Sequence, residues 1–170
     1  MRRPTYIRPI RITGDIAYVP LTQGLFAIID AADVPIVEGV AWTATKDSRG
    51  VAYAVTHRYR NNGRSTAIRM HRILLDAPAG MDVDHIDMDT LNNRRSNLRI
   101  CSRSQNLANK NVRSDSSSGV KGVFRHPNGR FRAKIKFEGR QIHIGYFSTP
   151  EEAAAAYKTE AVRLFGEFAR

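Results

Sequence analysis

Arg130-Phe131-Arg132-Ala133-Lys134-Ile135-Lys136-Phe137 alternates without a break between basic and apolar side chains. A period of two belongs to an extended strand, so Arg130, Arg132, Lys134 and Lys136 fall on one face and Phe131, Ala133, Ile135 and Phe137 on the other. The apolar face needs a core; the charged face suits water or a polyanion. On the N-terminal side, Val120 to His126 reads as a second strand ending at the turn Pro127-Asn128-Gly129. On the C-terminal side, Glu138-Gly139 turns the chain into Arg140 to Phe147, with Ile142 and Ile144 inward and Gln141 and His143 outward. Thr149-Pro150-Glu151-Glu152 then has the form of a helix start, a capping box with proline at the first helical position. Ala153, Tyr157, Ala161 and Leu164 recur at helical spacing, and Gly166 is a natural stop. Three strands and one helix predict a minimal two-layer unit over residues 119–170.

Residues 111–118 are small and polar and have no periodicity, which predicts a flexible linker. Residues 1–110 form a separate unit. Within it, Ile16 to Leu21 and Leu25 to Ile29 flank Thr22-Gln23-Gly24 as a hairpin. Ala41 to Ala44 and Val51 to Val55 flank the polar turn 46–50 as another. Ala67 to Leu75 is helical in period, and a short helix is expected between Gln105 and Lys110. The fold class expected for the whole chain is α+β.

Of 170 residues, 27 are Lys or Arg and 16 Asp or Glu, giving a formal net charge of +11. So basic a balance favours a nucleic-acid partner, because Lys and Arg release counterions on neutralising phosphates. Cys101 is the single cysteine, which excludes an internal disulfide and any zinc site built from Cys-x-x-Cys pairs; it reads as a small core residue. Met1-Arg2-Arg3-Pro4 lacks the apolar run of a signal peptide, and no apolar stretch approaches membrane-spanning length. The expectation is a cytoplasmic protein without a membrane partner.

The residues that carry chemistry are Asp84-His85, Asn97 and Asn106. Hydrolysis of a phosphodiester needs a divalent cation on the phosphate and a base for the attacking water. Mg²⁺ prefers a few hard oxygen ligands and keeps several waters, so Asp84 and Asn106 would suit it; Mn²⁺ is an alternative. His85 would be the base, since neutral imidazole titrates near pH 7. Asn92 and Asn93 read as turn residues rather than ligands.

Met70-His71-Arg72, Val83-Asp84-His85-Ile86-Asp87, Leu91 to Arg99 and Ser104-Gln105-Asn106 together resemble the HNH endonucleases, closest to the phage and intron-encoded homing type with a strand-strand-helix metal site. The resemblance implies Asp84 and Asn106 as metal ligands and His85 as general base. It implies Asn97 as the central asparagine that fastens the loop and helps orient the histidine, and His71 and Arg72 as a pair able to contact phosphate. Met88 and Thr90 depart from it, since relatives often have glycine in that loop. A core that binds DNA without cutting it is the alternative.

Gly119-Val120-Lys121-Gly122-Val123, Gly129 to Ile135, Ile144-Gly145-Tyr146-Phe147 and Thr149 to Tyr157 resemble the plant ethylene-response-factor (APETALA-type) DNA-binding domain. By that resemblance Lys121, Arg130 and Lys136 would contact DNA. From the charge pattern Arg125, Arg132, Lys134, Arg140, Gln141 and His143 join them. The partner expected is double-stranded DNA in a bacterial host cell, with a phage-encoded gene. A monomer would nick and a homodimer could cut both strands; the sequence leaves both open.

Overall fold

The structure, a computed structural model, describes residues 6–59, 63–110, 112 and 118–169. Most of the expected linker, residues 111 and 113–117, lies outside the described residues. The chain divides into two compact units, Met1–Ile100 and Cys101–Arg170. Helices and small antiparallel sheets are mixed, so the fold is α+β. Among the described residues no helix is long and apolar enough to cross a membrane.

The first unit opens with a three-stranded sheet of β1 (Arg11–Thr13), β2 (Ile16–Pro20) and β3 (Phe26–Asp30). The expected hairpin is present, with Ala17 opposite Ile29 and Val19 opposite Ala27. These inward residues are buried. The turn at Thr22–Gly24 docks on the next sheet, where the Ala44 N–H donates to Thr22 Oγ1 at 3.0 Å. A short helix α1 (Val34–Val37) follows, and the Val37 carbonyl accepts the indole N–H of buried Trp42 at 3.0 Å. That bond satisfies the one polar atom of a side chain placed in the core.

The second sheet has the order β4 (Thr43–Lys46), β5 (Ala52–Tyr59), β6 (Ser65–Arg69). The helical expectation for Ala67 to Leu75 splits here. Ala67 and Arg69 pair with His57 and Val55 on β5, and only Met70–Leu74 forms a helix, α2. The apolar spacing of Met70, Ile73 and Leu74 is helical, but cross-strand pairing captures the residues before it. Two further strands, β7 (Asp82–His85) and β8 (Leu98–Cys101), pair with each other. One core of Ala17, Val19, Ile29, Val37, Trp42, Met70, Leu74, Val83 and Leu98 joins these elements.

The second unit begins with helix α3 (Arg103–Asn109), started by a capping box between Ser102 and Gln105. Then come β9 (Val123–Arg125), β10 (Phe131–Phe137) and β11 (Arg140–Phe147), with β10 in the centre, and helix α4 (Pro150–Phe165). β9 is shorter than the sequence suggests, because Gly122 adopts φ +69° just before it. A Cβ at Gly122 would stand 2.1 Å from the Tyr157 ring and 2.7 Å from the Lys134 carbonyl, so only glycine lets this backbone reach the helix. Glu138 and Gly139 both have positive φ, as a two-residue hairpin turn requires. The predicted capping box at Thr149 and Glu152 is formed, and α4 stops at Gly166. Cys101, Ala108, Ile135, Tyr157, Ala161 and Phe165 share a core, so α3 packs with α4 and the sheet.

Candidate active site

Strand β7 delivers Asp84 and His85 in succession, so their side chains leave the strand on opposite sides. Both are buried, at 7% and 5% exposure. The Asp84 Oδ2 accepts from the Arg99 guanidinium on β8, at 3.1 Å from Nε and 3.0 Å from Nη2. A carboxylate this buried needs a compensating cation, and Arg99 supplies one.

His85 meets two partners on the other side. Its Nε2 lies 3.2 Å from Asn93 Oδ1. Its ring stands edge-on to that of His71 on α2, with centroids 4.9 Å apart and planes at 83°. Tyr53 of β5 meets the His71 ring in turn, at 6.1 Å. Burial pushes the His85 pKa below its ordinary value; the Asn93 hydrogen bond and the charges of Asp87, Asp84 and Asp89 recover part of the shift. Burial, with the positive surroundings of His85, Arg69 and Arg72, pushes His71 down to about 3. Both imidazoles are therefore neutral at pH 7. A neutral buried imidazole beside a carboxylate can accept a proton.

The loop between β7 and β8 is held by asparagines. Asn97 Nδ2 donates to Asp87 Oδ1 and to the Asn92 carbonyl, each at 2.8 Å, and its Oδ1 accepts the Asp87 N–H at 3.0 Å. Asn97 thus fastens the loop, while Asn93 makes the side-chain bond to the histidine. Burial opposes ionisation of Asp87, but hydrogen bonds from Asn92, Asn97 and the Asp89 N–H outweigh it and its pKa is lowered. Arg94 and Arg95 clamp the loop's far end to the first sheet through Asp15, Asp30 and Asp33. The backbone does the same: Ile28 N–H donates to the Leu91 carbonyl at 2.8 Å, and the Asn93 N–H to the Ile28 carbonyl at 2.7 Å.

Asn93 is the residue that a reading of the sequence misses. It is 1% exposed, too buried for the turn role that an Asn-Asn pair suggests. Its long-range backbone pairing with Ile28 left no local signal. The neighbouring Asn92 fits the turn reading better, as a half-buried residue bonded to Asp87 at 2.7 Å. Arg72 spends its guanidinium on the carbonyls of Met81, Ala77 and Pro78, and so braces the segment entering β7.

Asn106 stands half-buried on α3, in the second unit. Asp84, in the first unit, and Asn106, in the second, each carry a hard oxygen donor of the kind that Mg²⁺ takes. Among the described residues no three His, Cys, Asp or Glu side chains form a metal-holding cluster, so a cation would draw on amide and water oxygens as well.

In the second unit a bulge between Ala133 and Lys134 sets the outer face of the sheet. Arg132 lies opposite Tyr146, Lys134 opposite His143, and Lys136 opposite Gln141, so these six share one face. Phe124, opposite Arg132, joins them, and the Lys134 ammonium lies 4.5 Å from its ring centroid. Tyr146 meets His126 and His143 edge-on or tilted, at 5.2 Å and 4.9 Å. Arg130 sits just before β10 and donates to the Tyr146 carbonyl at 2.9 Å. Arg125 and Arg140 stand opposite Phe131 and Phe137, exposed at strand ends on the other parity. The Lys121 ammonium turns to the carbonyls of Ala108 and Lys110, at the end of α3. Strict alternation along β11 would have hidden Tyr146; the bulge turns it outward.

The sequence model described as "HNH endonuclease" matches residues 76–108, which hold β7, the asparagine loop, β8 and most of α3. An uncharacterized HNH endonuclease of Acanthamoeba polyphaga mimivirus is 34% identical over 147 residues, 86% of this chain and 74% of the viral one. Protein 3.8 of Escherichia phage T7 is 32% identical over 94 residues, 55% of this chain and 77% of its own. An ethylene-responsive transcription factor of Arabidopsis thaliana is 38% identical over 87 residues, half of this chain and a quarter of the plant protein. No solved structure matches. With the buried Asp84–His85 site inside the matched segment and a viral relative aligned over most of both chains, the chain belongs to the HNH endonuclease family and is a nuclease.

Proposed function

We propose that the protein is a metal-dependent DNA endonuclease of the homing type, acting on double-stranded DNA in a host-cell cytoplasm. The observation that carries this reading is His85, buried next in sequence to the Asp84 carboxylate inside the segment that matches the HNH endonuclease family. His85 accepts a proton from water as the water oxygen bonds to phosphorus and the bond from phosphorus to the 3′ oxygen breaks. A divalent cation held by Asp84 and Asn106 would neutralise phosphate charge and stabilise the leaving oxygen. Asn97 keeps the loop closed over this chemistry, and His71 packs against the base.

The outer sheet face of the second unit binds the DNA. In the first unit Arg94, Arg95 and Arg99 are matched to carboxylates. On that outer face Arg132, Lys134 and Lys136 have no carboxylate partner among the described residues, so their charge remains for a polyanion. Such a face raises affinity through counterion release and, as a sheet, can enter a major groove. By function, residues 1–110 form the nuclease domain and 119–170 the DNA-binding domain. The plant and viral likenesses support this division.

Supercoiled plasmid carrying DNA from the source genome, incubated with Mg²⁺, Mn²⁺ or EDTA, tests the reading. We expect metal-dependent relaxation or linearisation, reduced by at least about 10²-fold in His85→Ala. Relaxed circles alone would mean nicking. Intact DNA binding with no cutting in either metal would instead make the protein a DNA-binding regulator.

A further inference from the structure

We infer that Asn93 is the positioning residue for the base: it holds His85 as the Nε2–H tautomer, so Nδ1 is the nitrogen that takes the proton from water. This rests on the nuclease reading of His85 above.

The argument begins with the Asn93 amide. Its Nδ2 donates to the Leu91 carbonyl at 3.0 Å. A carbonyl oxygen only accepts, so a flipped amide would set two acceptors against each other. The amide orientation is therefore fixed, and Oδ1 faces His85 Nε2 at 3.2 Å. Oδ1 also only accepts, so Nε2 must carry the hydrogen. An imidazole that is to accept a proton carries one N–H, which leaves Nδ1 as the unprotonated, basic nitrogen.

The bond is built from outside the loop. Asn93 is anchored by its N–H on the Ile28 carbonyl, and the Leu91 carbonyl accepts from both Ile28 N–H and Asn93 Nδ2. Strand β3 thus fixes both ends of the unit that presents Oδ1. The edge-on His71 ring limits rotation of His85 from its other flank. An imidazole gripped at one nitrogen and at one ring edge is preorganised, which lowers the cost of reaching the reactive geometry. The family pattern points to the central asparagine, Asn97, for this task; in this chain Asn97 bonds the loop instead.

Long-range ¹H–¹⁵N correlation spectra of the full-length, metal-free protein at pH 7.5 read the tautomer directly, with His85→Gln assigning the signals. We expect Nδ1 in the unprotonated shift range and Nε2 in the protonated one. A dominant Nδ1–H form in the parent overturns the inference, whatever any variant does. In Asn93→Leu, which removes the acceptor at similar volume, we expect mixed tautomers and a fall in kcat of about 10–100-fold with KM unchanged. Asn93→Asp, which keeps an acceptor, should retain the Nε2–H form and cut faster than Asn93→Leu. An Asn93→Leu protein with the parent's tautomer and rate also overturns it. A parent in the Nε2–H form that cuts no DNA supports the proton placement and sinks the nuclease reading.

Discussion

At the residue scale, the two buried histidines tie the site to pH. An unfolded histidine titrates near pH 6.5, whereas native His71 titrates at about 3 and His85 is lowered in the same direction. Below pH 6.5 the unfolded chain binds protons that the native chain does not. Their contribution to stability is therefore complete above that pH and is lost as pH falls below it, for His71 down to about 3, at up to about 1.4 kcal/mol per pH unit for each group. Urea unfolding at pH 7.5, 6 and 4.5 should show the parent weakening with acid and His71→Gln weakening less steeply, by about one proton. Equal slopes for the two proteins would mean that His71 is not buried neutral. Cleavage should be spared this loss at neutral pH, where both rings are uncharged.

At the element scale, the β7–β8 loop carries a departure visible in the sequence. Met88 occupies φ +69°, in the left-handed region where relatives often place glycine. Its N–H closes a turn on the His85 carbonyl at 3.1 Å, so the conformation is locked by the strand that delivers the base. A side chain there costs about 1–2 kcal/mol, and glycine's extra freedom in the unfolded chain costs less, about 0.5–1 kcal/mol. Met88→Gly and Met88→Ala lose the same half-buried contacts beyond Cβ, but only Gly releases the strain. Met88→Gly should be the more stable of the two by about 1 kcal/mol in denaturant unfolding. An Ala variant equal or superior to Gly would show that the loop relaxes out of this conformation.

At the scale of the whole molecule, α3 has two allegiances. Its Asn106 belongs to the proposed chemistry of the first domain, while Ala108 is buried in the core of the second unit with Ile135, Tyr157 and Phe165. On the sequence alone, deleting residues 115–170 should cost affinity and specificity while sparing catalytic competence. The packing changes that expectation. Without residues 115–170, α3 is a seven-residue helix with no core to pack on, far below the length that is stable alone. A 1–114 fragment should therefore lose cleavage as well as affinity, while alanine at Arg132, Lys134 and Lys136 together should weaken binding and its salt dependence and leave the rate at saturating DNA near the parent's. A fragment that still cuts at high concentration would show α3 folding without its core.

What the sequence determined by itself lies where the physics is local. The alternation of Phe131 to Phe137 set a strand and its buried face, Glu138-Gly139 set a tight turn, and Thr149 with Glu152 set the start of α4, because strand period, turn backbone and capping each act within a few residues. Asp84, His85 and Asn97 were legible as a motif for the same reason: their spacing is carried along one hairpin. The tertiary structure alone decided what depends on distant parts of the chain. Ile28 anchors Asn93, which grips His85, from 65 positions away. Pairing with β5 turns Ala67 to Arg69 into strand, a bulge opposite β10 turns Tyr146 outward, and the core of the second unit claims α3. Burial also moved the histidine titrations, and burial is a property of the packed fold, which no neighbouring residue in the sequence encodes.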